Sequence, residues 1–189
     1  MEQDNMEEKN QNNPNQPRGL VVVYTGNGKG KTTAGMGMLI RAWGRGMRVG
    51  AIQFIKDTQN EYGESLAAKR MGIDIRQVGN GCTWQGRDLR DMRVCGLEGW
   101  NYAQEQIRMA RYDILLLDEF SFLFHFKWLD IDETIAWLRQ HKPPQMTLVM
   151  TGRYAPQALI DYADLVTEMR EIKHPFKTEG LLSQPGVDF

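Results

Sequence analysis

A glycine-rich segment followed by one basic and two hydroxyl residues stands early in the chain. Residues 25–33 read Thr-Gly-Asn-Gly-Lys-Gly-Lys-Thr-Thr. Glycines let successive backbone N–H groups converge on an anion, and a helix that begins there adds its positive end. Lys31 is expected to neutralise terminal phosphates, and the Thr32 hydroxyl to bind magnesium. The segment predicts a phosphate loop, although the frame Gly26-x-x-x-Gly30-Lys31-Thr32 is one residue shorter than the usual pattern.

Two acids follow an apolar run in the middle of the chain, where residues 114–119 read Ile-Leu-Leu-Leu-Asp-Glu. The carboxyl ends of parallel strands form the ligand crevice of an open α/β sheet, so these carboxylates are expected to face the same phosphates. Glu119 is the predicted magnesium ligand, and Asp118 is its neighbour. Acids at this position also serve as helix caps. Their combination with the phosphate loop favours a metal-nucleotide site.

A third strand exit carries Thr-Gly-Arg at residues 151–153. A guanidinium fixed at this edge holds phosphate or ribose oxygens, which makes Arg153 a candidate for ATP binding. The alternative is an ordinary surface arginine in a loop.

Short apolar runs alternate with amphipathic stretches from Gly19 onward. This pattern predicts an α/β fold: a single P-loop NTPase-type (RecA-like) domain over residues 19–189, with a mostly parallel central sheet flanked by helices. Residues 1–18 are rich in Asn, Gln, Glu and Pro, and this composition predicts a flexible segment ahead of the domain. Strands are predicted near 20–25, 48–54, 73–78, 113–118, 145–150 and 164–169, and helices near 31–44, 61–71, 88–111, 130–141 and 156–162.

Composition narrows the class of protein. The 23 basic and 24 acidic residues give a net charge of -1, so no global positive field holds a nucleic acid. The longest apolar stretches are too short for a membrane helix and the N-terminus is polar, which favours a cytoplasmic location without membrane contact. With two cysteines and three histidines, none at zinc-finger spacing, a structural zinc site has little support.

Seven strings in order and at similar spacing resemble the CobA/CobO/BtuR type of ATP:corrinoid adenosyltransferase, from about Gly19 to Phe189. They are Gly26 to Ala34, Arg41-Ala42-x-Gly44-x-Gly46, Gln53-Phe54-Ile55-Lys56, Thr83-Trp84, Leu117-Asp118-Glu119, Thr151-Gly152-Arg153 and Lys173-His174-Pro175-Phe176.

The resemblance implies transfer of the 5′-deoxyadenosyl group of ATP to the cobalt(I) of a reduced corrinoid, with release of triphosphate. The implied catalytic residues are Lys31, Glu119 and Trp84, and Thr32 and Glu119 are the implied magnesium ligands. The residues that the resemblance implies for ATP binding are Gly26, Asn27, Gly28, Lys29, Gly30, Lys31, Thr32, Thr33, Arg41 and Arg153.

The same resemblance assigns residues 79–84 to a loop that approaches the lower corrin face. Trp84 fits the family pattern, whereas some relatives carry Phe where this chain has Cys82. An ordinary half-buried loop tryptophan is the alternative. The family also implies a homodimer in which the N-terminal segment covers the active site, so residues 1–18 are a candidate lid. It is compatible with an electron donor such as a reduced flavoprotein.

Two other functions share the phosphate loop, because fold alone does not dictate chemistry. One is a P-loop ATPase or phosphotransferase of another kind. The other is a non-catalytic nucleotide-binding module, such as a RecA-like DNA-binding protein, which the near-neutral charge disfavours.

Overall fold

The computed structural model describes residues 18–56, 62–79 and 89–188. The predicted corrin-loop residues Cys82 and Trp84 and the first 17 residues lie outside this part. The described residues form six strands, which are β1 Val21–Thr25, β2 Val49–Gln53, β3 Asp74–Gln77, β4 Ile114–Asp118, β5 Thr147–Thr151 and β6 Leu165–Glu168. These strands make one all-parallel sheet in the order β3-β2-β4-β5-β1-β6.

Helices connect the strands and cover both faces of the sheet, which confirms the predicted P-loop-type α/β class. Two short helices, Ser121–His125 and Pro175–Glu179, were not predicted. No helix among the described residues is long and apolar enough to cross a membrane. The helices are α1 Lys31–Trp43, α2 Gly63–Met71, α3 Leu89–Arg108, α4 Ser121–His125, α5 Ile131–His141, α6 Gln157–Tyr162 and α7 Pro175–Glu179.

The central strands are buried on both faces, which explains their unbroken apolar runs. Alternate residues of a strand point to opposite faces of the sheet. Leu115 and Leu117 of β4 pack in a cluster with residues of α3 and α5, whereas Leu116 packs in a second cluster with residues of α1 and α2. All five residues of β4 are buried, but all four of the edge strand β6 are exposed. The core is therefore built around β4 and its neighbours.

The strand order also decides which residues meet at the carboxyl edge. Strand β5 lies between β1, which leads into the glycine-rich loop, and β4, which ends in Asp118. The exits of β1, β5 and β4 are consequently side by side.

Helix α1 packs closely on β4 through a residue without a side chain. A Cβ at Gly35 would lie 2.8 Å from Leu116 Cδ1, and Leu116 is completely buried. A Cβ at Gly37, two residues further along the same helix, would meet no atom within 4 Å.

These two glycines provide a matched test of the packing. We expect Gly37→Ala to stabilise the protein by about 0.5–1 kcal/mol, because alanine costs less backbone entropy in a helix. Gly35→Ala should lose this gain and destabilise the protein by about 1–3 kcal/mol through overpacking. Urea unfolding of both variants measures the difference, and equal effects would contradict the close contact between α1 and β4.

Candidate functional site

The glycine-rich loop joins β1 to α1 in a conformation that requires glycine at two positions. Gly26 has φ 95° and Gly30, the residue before α1, has φ 104°. Residues with a Cβ rarely adopt such angles. Helix α1 begins directly after Gly30, with the Ala34 N–H donating to the Gly30 carbonyl at 2.8 Å. The loop therefore has the conformation and the helix N-terminus that favour a bound anion.

The segment after β6 supports the loop from one side. The Gly28 N–H donates to the Met169 carbonyl at 2.7 Å, and a Cβ at Gly28 would lie 2.8 Å from that carbonyl oxygen. Lys29 forms an ion pair with Asp188 near the C-terminus. The loop is thus fixed to the last strand and to the chain beyond it.

Lys31 directs its ammonium group into the loop. The residue is 5% exposed, and its Nζ donates to the carbonyl oxygens of Gly26 at 2.8 Å and Gly28 at 2.7 Å. Burial lowers the pKa of Lys31, although the negative charge of Glu119 acts in the opposite direction. A buried cation in a loop of this shape is suited to pairing with phosphate oxygens.

The carboxylate of Asp118 is fully buried and surrounded by donors. Its Oδ1 accepts hydrogen bonds from Thr32 Oγ1 at 2.9 Å and from Thr151 Oγ1 at 2.7 Å. Its Oδ2 accepts from Gln53 Nε2 at 3.2 Å and lies 3.9 Å from Lys56 Nζ. Asp118 is thereby held by side chains from α1, β5 and β2.

Glu119, the next residue, has the opposite environment. Its backbone has φ 61°, and its N–H donates to Thr151 Oγ1 at 2.9 Å. Within the described part of the chain, its buried Oε2 has no hydrogen-bond partner. Burial, with a contribution from Asp118, raises the pKa of Glu119 to about 7. A buried carboxylate oxygen without a partner is costly unless a cation or donor approaches it.

Arg153 follows β5 at the same edge, as predicted. Ser121 Oγ donates to the Arg153 carbonyl at 2.5 Å and so fixes the backbone there. The positive charge of Arg153 favours a lower pKa for Lys31, and for Glu119 it opposes the larger effect of burial, which raises the pKa. The structure therefore brings together Lys31, Thr32, Glu119 and Arg153.

Other predicted residues have different positions. Arg41 is exposed in the last turn of α1, about 15 Å along the helix axis from Lys31, so the loop of the same chain does not approach it. Four loop residues have exposed positions, namely Asn27, Lys29, Gly30 and Thr33.

Sequence reasoning gave no role to a polar network beside Asp118. Gln53 is completely buried and, besides Asp118, contacts Glu64 and Gln77 through hydrogen bonds of 3.4 and 3.3 Å. Lys56 pairs with Glu64. The available signal was a glutamine at the end of the second apolar strand in the chain, because buried polar side chains need partners.

The arrangement fits a magnesium ion bound together with phosphate. Among the described residues, no group of three or more His, Cys, Asp or Glu side chains is suited to a metal. Magnesium bound with a nucleotide needs only one or two protein oxygens, because phosphates and water complete its shell. Thr32 Oγ1 and the unpartnered Glu119 Oε2 are the oxygens that this site offers.

A fold of this kind recurs among solved structures. The flagellar accessory protein FlaH from Methanocaldococcus jannaschii superposes with a TM-score of 0.60 at 12% identity, covering 89% of this chain and 77% of that one. At this identity the likeness shows the fold alone.

Sequence comparison identifies the family. A corrinoid adenosyltransferase of Sinorhizobium sp. is 41% identical over 176 residues, covering 91% of this chain and 81% of its own length. The corrinoid adenosyltransferase of Escherichia coli K12 is 35% identical over 172 residues, covering 91% and 86%. The model of the family described as ATP:corrinoid adenosyltransferase BtuR/CobO/CobP matches residues 17–189. This chain therefore belongs to the BtuR/CobO/CobP family of ATP:corrinoid adenosyltransferases.

Proposed function

We propose that the protein transfers the 5′-deoxyadenosyl group of ATP to the cobalt of a reduced corrinoid. Cobalt(I) donates an electron pair to C5′, so that a cobalt–carbon bond forms while the C5′–oxygen bond breaks. The leaving group is triphosphate, and cobalt becomes formally cobalt(III). Family membership supports this reaction, which makes the protein an enzyme of the alkyl-transferring class.

One observation carries the proposal at the level of residues. The buried ammonium of Lys31 and the carboxylate pair 118–119 converge at the edge where the loop opens. Negative charge accumulates on the bridging oxygen as triphosphate leaves, and fixed positive groups in a buried site stabilise such charge strongly. Lys31 and Arg153 are the proposed groups for this role.

Magnesium is the proposed cofactor, with Thr32 and Glu119 as its protein ligands. It would supply positive charge that stabilises the leaving triphosphate. Thr32 Oγ1 donates a hydrogen bond to Asp118 Oδ1 at 2.9 Å, so the lone pairs of the Thr32 oxygen remain for a cation. Because donors already surround Asp118, its proposed role is to orient Thr32. Glu119 provides the carboxylate oxygen that is free to bind the metal.

Residues 19–189 would form the adenosyltransferase domain, and residues 1–18 a lid. The family resemblance supports a homodimer and is compatible with a reduced flavoprotein as electron donor. The cytoplasm is the proposed location. Arg41 would contact ATP only if the loop that holds the ATP belonged to a second copy of the chain.

Product analysis tests the proposed reaction against an ordinary ATPase or phosphotransferase. We expect triphosphate to form in equal amounts with adenosylated corrinoid, and only when reduced corrinoid is present. Lys31→Ala should slow this reaction about 100-fold or more, because it removes a charge that stabilises the leaving group.

Lys142→Ala is the matched control. Lys142 is half-buried and, like Lys31, donates to two backbone carbonyls, those of Pro143 at 3.2 Å and Met146 at 2.6 Å, at the opposite edge of the sheet. The Lys142→Ala variant should leave turnover per folded molecule unchanged. Release of ADP and phosphate without corrinoid, or normal turnover by Lys31→Ala, would contradict the proposal.

Trp84 is the proposed corrin-facing aromatic, and Cys82 is proposed to belong to the same corrin loop. We expect Trp84→Ala to keep ATP binding but to lose the absorption spectrum of four-coordinate cobalt(II), because the aromatic no longer excludes the axial base. The defect should shrink with prereduced cobalt(I). Trp43→Ala, at a tryptophan that is 43% exposed at the end of α1, serves as the control. A full four-coordinate spectrum from Trp84→Ala would show that this assignment is wrong.

A further inference from the structure

Thr151 lies between the two halves of the candidate site. It is the last residue of β5, and β5 separates the loop-bearing strand β1 from β4. The residue is 1% exposed. A buried hydroxyl in this position requires hydrogen-bond partners, and the partners it has are both acids of the carboxylate pair.

The hydroxyl group connects these two residues in a defined direction. Thr151 Oγ1 lies 2.7 Å from Asp118 Oδ1 and 2.9 Å from the Glu119 backbone nitrogen. Because an N–H can only donate, the Thr151 oxygen accepts from Glu119. Its single proton is then donated to the Asp118 carboxylate. One side chain therefore fixes the side chain of the first acid and the backbone of the second.

Both contacts affect the groups that are free to bind a cation. Asp118 Oδ1 also accepts the Thr32 hydroxyl, so its position determines where the lone pairs of Thr32 point. Glu119 has a left-handed backbone with φ 61°, a conformation that is strained for a residue with a Cβ. The hydrogen bond to its N–H helps to hold this conformation, which directs the Glu119 side chain into the site.

We propose that Thr151 is a positioning residue for the magnesium–nucleotide site, which acts through Asp118 on Thr32 and through the backbone of Glu119 on its carboxylate. The inference rests on the proposed magnesium site and adds to it a residue that contacts neither metal nor substrate. The hydroxyl group, and not the methyl group of Thr151, carries this role.

Three variants separate the hydroxyl group from packing. Thr151→Val keeps the shape but removes both hydrogen bonds, whereas Thr151→Ser keeps the hydroxyl and removes the methyl group, which lies beside Gly35. Thr147→Val is the matched control, because Thr147 begins the same strand and its hydroxyl accepts the Leu20 N–H at 3.2 Å at the opposite edge.

The measurement is the dissociation constant of ATP by titration calorimetry, with magnesium and with EDTA, on the full chain without corrinoid. We expect magnesium to tighten ATP binding to the wild-type protein. Thr151→Val should reduce this magnesium-dependent gain by about 10-fold or more, as for other residues that orient metal ligands. Its affinity in EDTA should stay unchanged, and Thr151→Ser and Thr147→Val should retain the gain.

Each other outcome overturns the inference. An undiminished gain in Thr151→Val, or a loss in Thr151→Ser as large as in Thr151→Val, would show that the hydroxyl group does not position the site. If Thr151→Val fails to fold, Thr151→Ala takes its place in the same comparison with Thr151→Ser. No magnesium gain in the wild-type protein would refute the magnesium site itself, whereas the product analysis tests adenosyl transfer independently.

Discussion

The carboxylate of Asp118 is buried at the end of the central strand, and burial of an ionised group is tolerated only when donors surround it. Side chains from three elements meet this requirement: Thr32 from α1, Thr151 from β5 and Gln53 from β2. The strand order that places β4 between β2 and β5 is what brings two of them within reach. The negative charge of Asp118 is thus stabilised jointly by donors from the end of the phosphate loop, from the central strands and from the polar network.

Adjacent acids with contrasting surroundings result from this arrangement. Asp118 is surrounded by hydrogen-bond donors, whereas a buried oxygen of Glu119 has no partner within the described residues. Glu119 therefore retains one carboxylate oxygen for a ligand, whereas both oxygens of Asp118 already accept hydrogen bonds from the protein. Lys31 and Arg153 add positive charge on the side where triphosphate is proposed to leave. This arrangement supports the proposed ligand, a nucleotide whose phosphate oxygens bind together with a cation.

The sequence predicted those features that depend on local pattern. The glycine-rich loop, the apolar run before Asp118 and the Thr-Gly-Arg string each marked a strand exit, and parallel pairing places such exits at one edge. The network of Gln53, Lys56 and Glu64 was not predicted, because these contacts depend on which strands become neighbours. The short helix α4 was also missed, since its run of buried aromatic residues has no helical period to distinguish it. Arg41 was assigned to ATP by the resemblance alone, although the predicted helix over 31–44 already separates it from Lys31 by ten residues of helical rise.

The pH dependence of stability in EDTA, compared between the wild-type protein and Glu119→Gln, tests most directly whether Glu119 is buried without a partner in the free protein. The pKa of Glu119 is raised to about 7 in the folded state, so the folded protein holds a proton that the unfolded chain releases above its lower pKa. This contribution is fully present below about pH 4.5 and is lost as the pH rises through 7. The account predicts that the wild-type protein loses about 1–3 kcal/mol relative to Glu119→Gln between pH 5 and pH 8 in urea unfolding. Parallel pH profiles of the two proteins would contradict it.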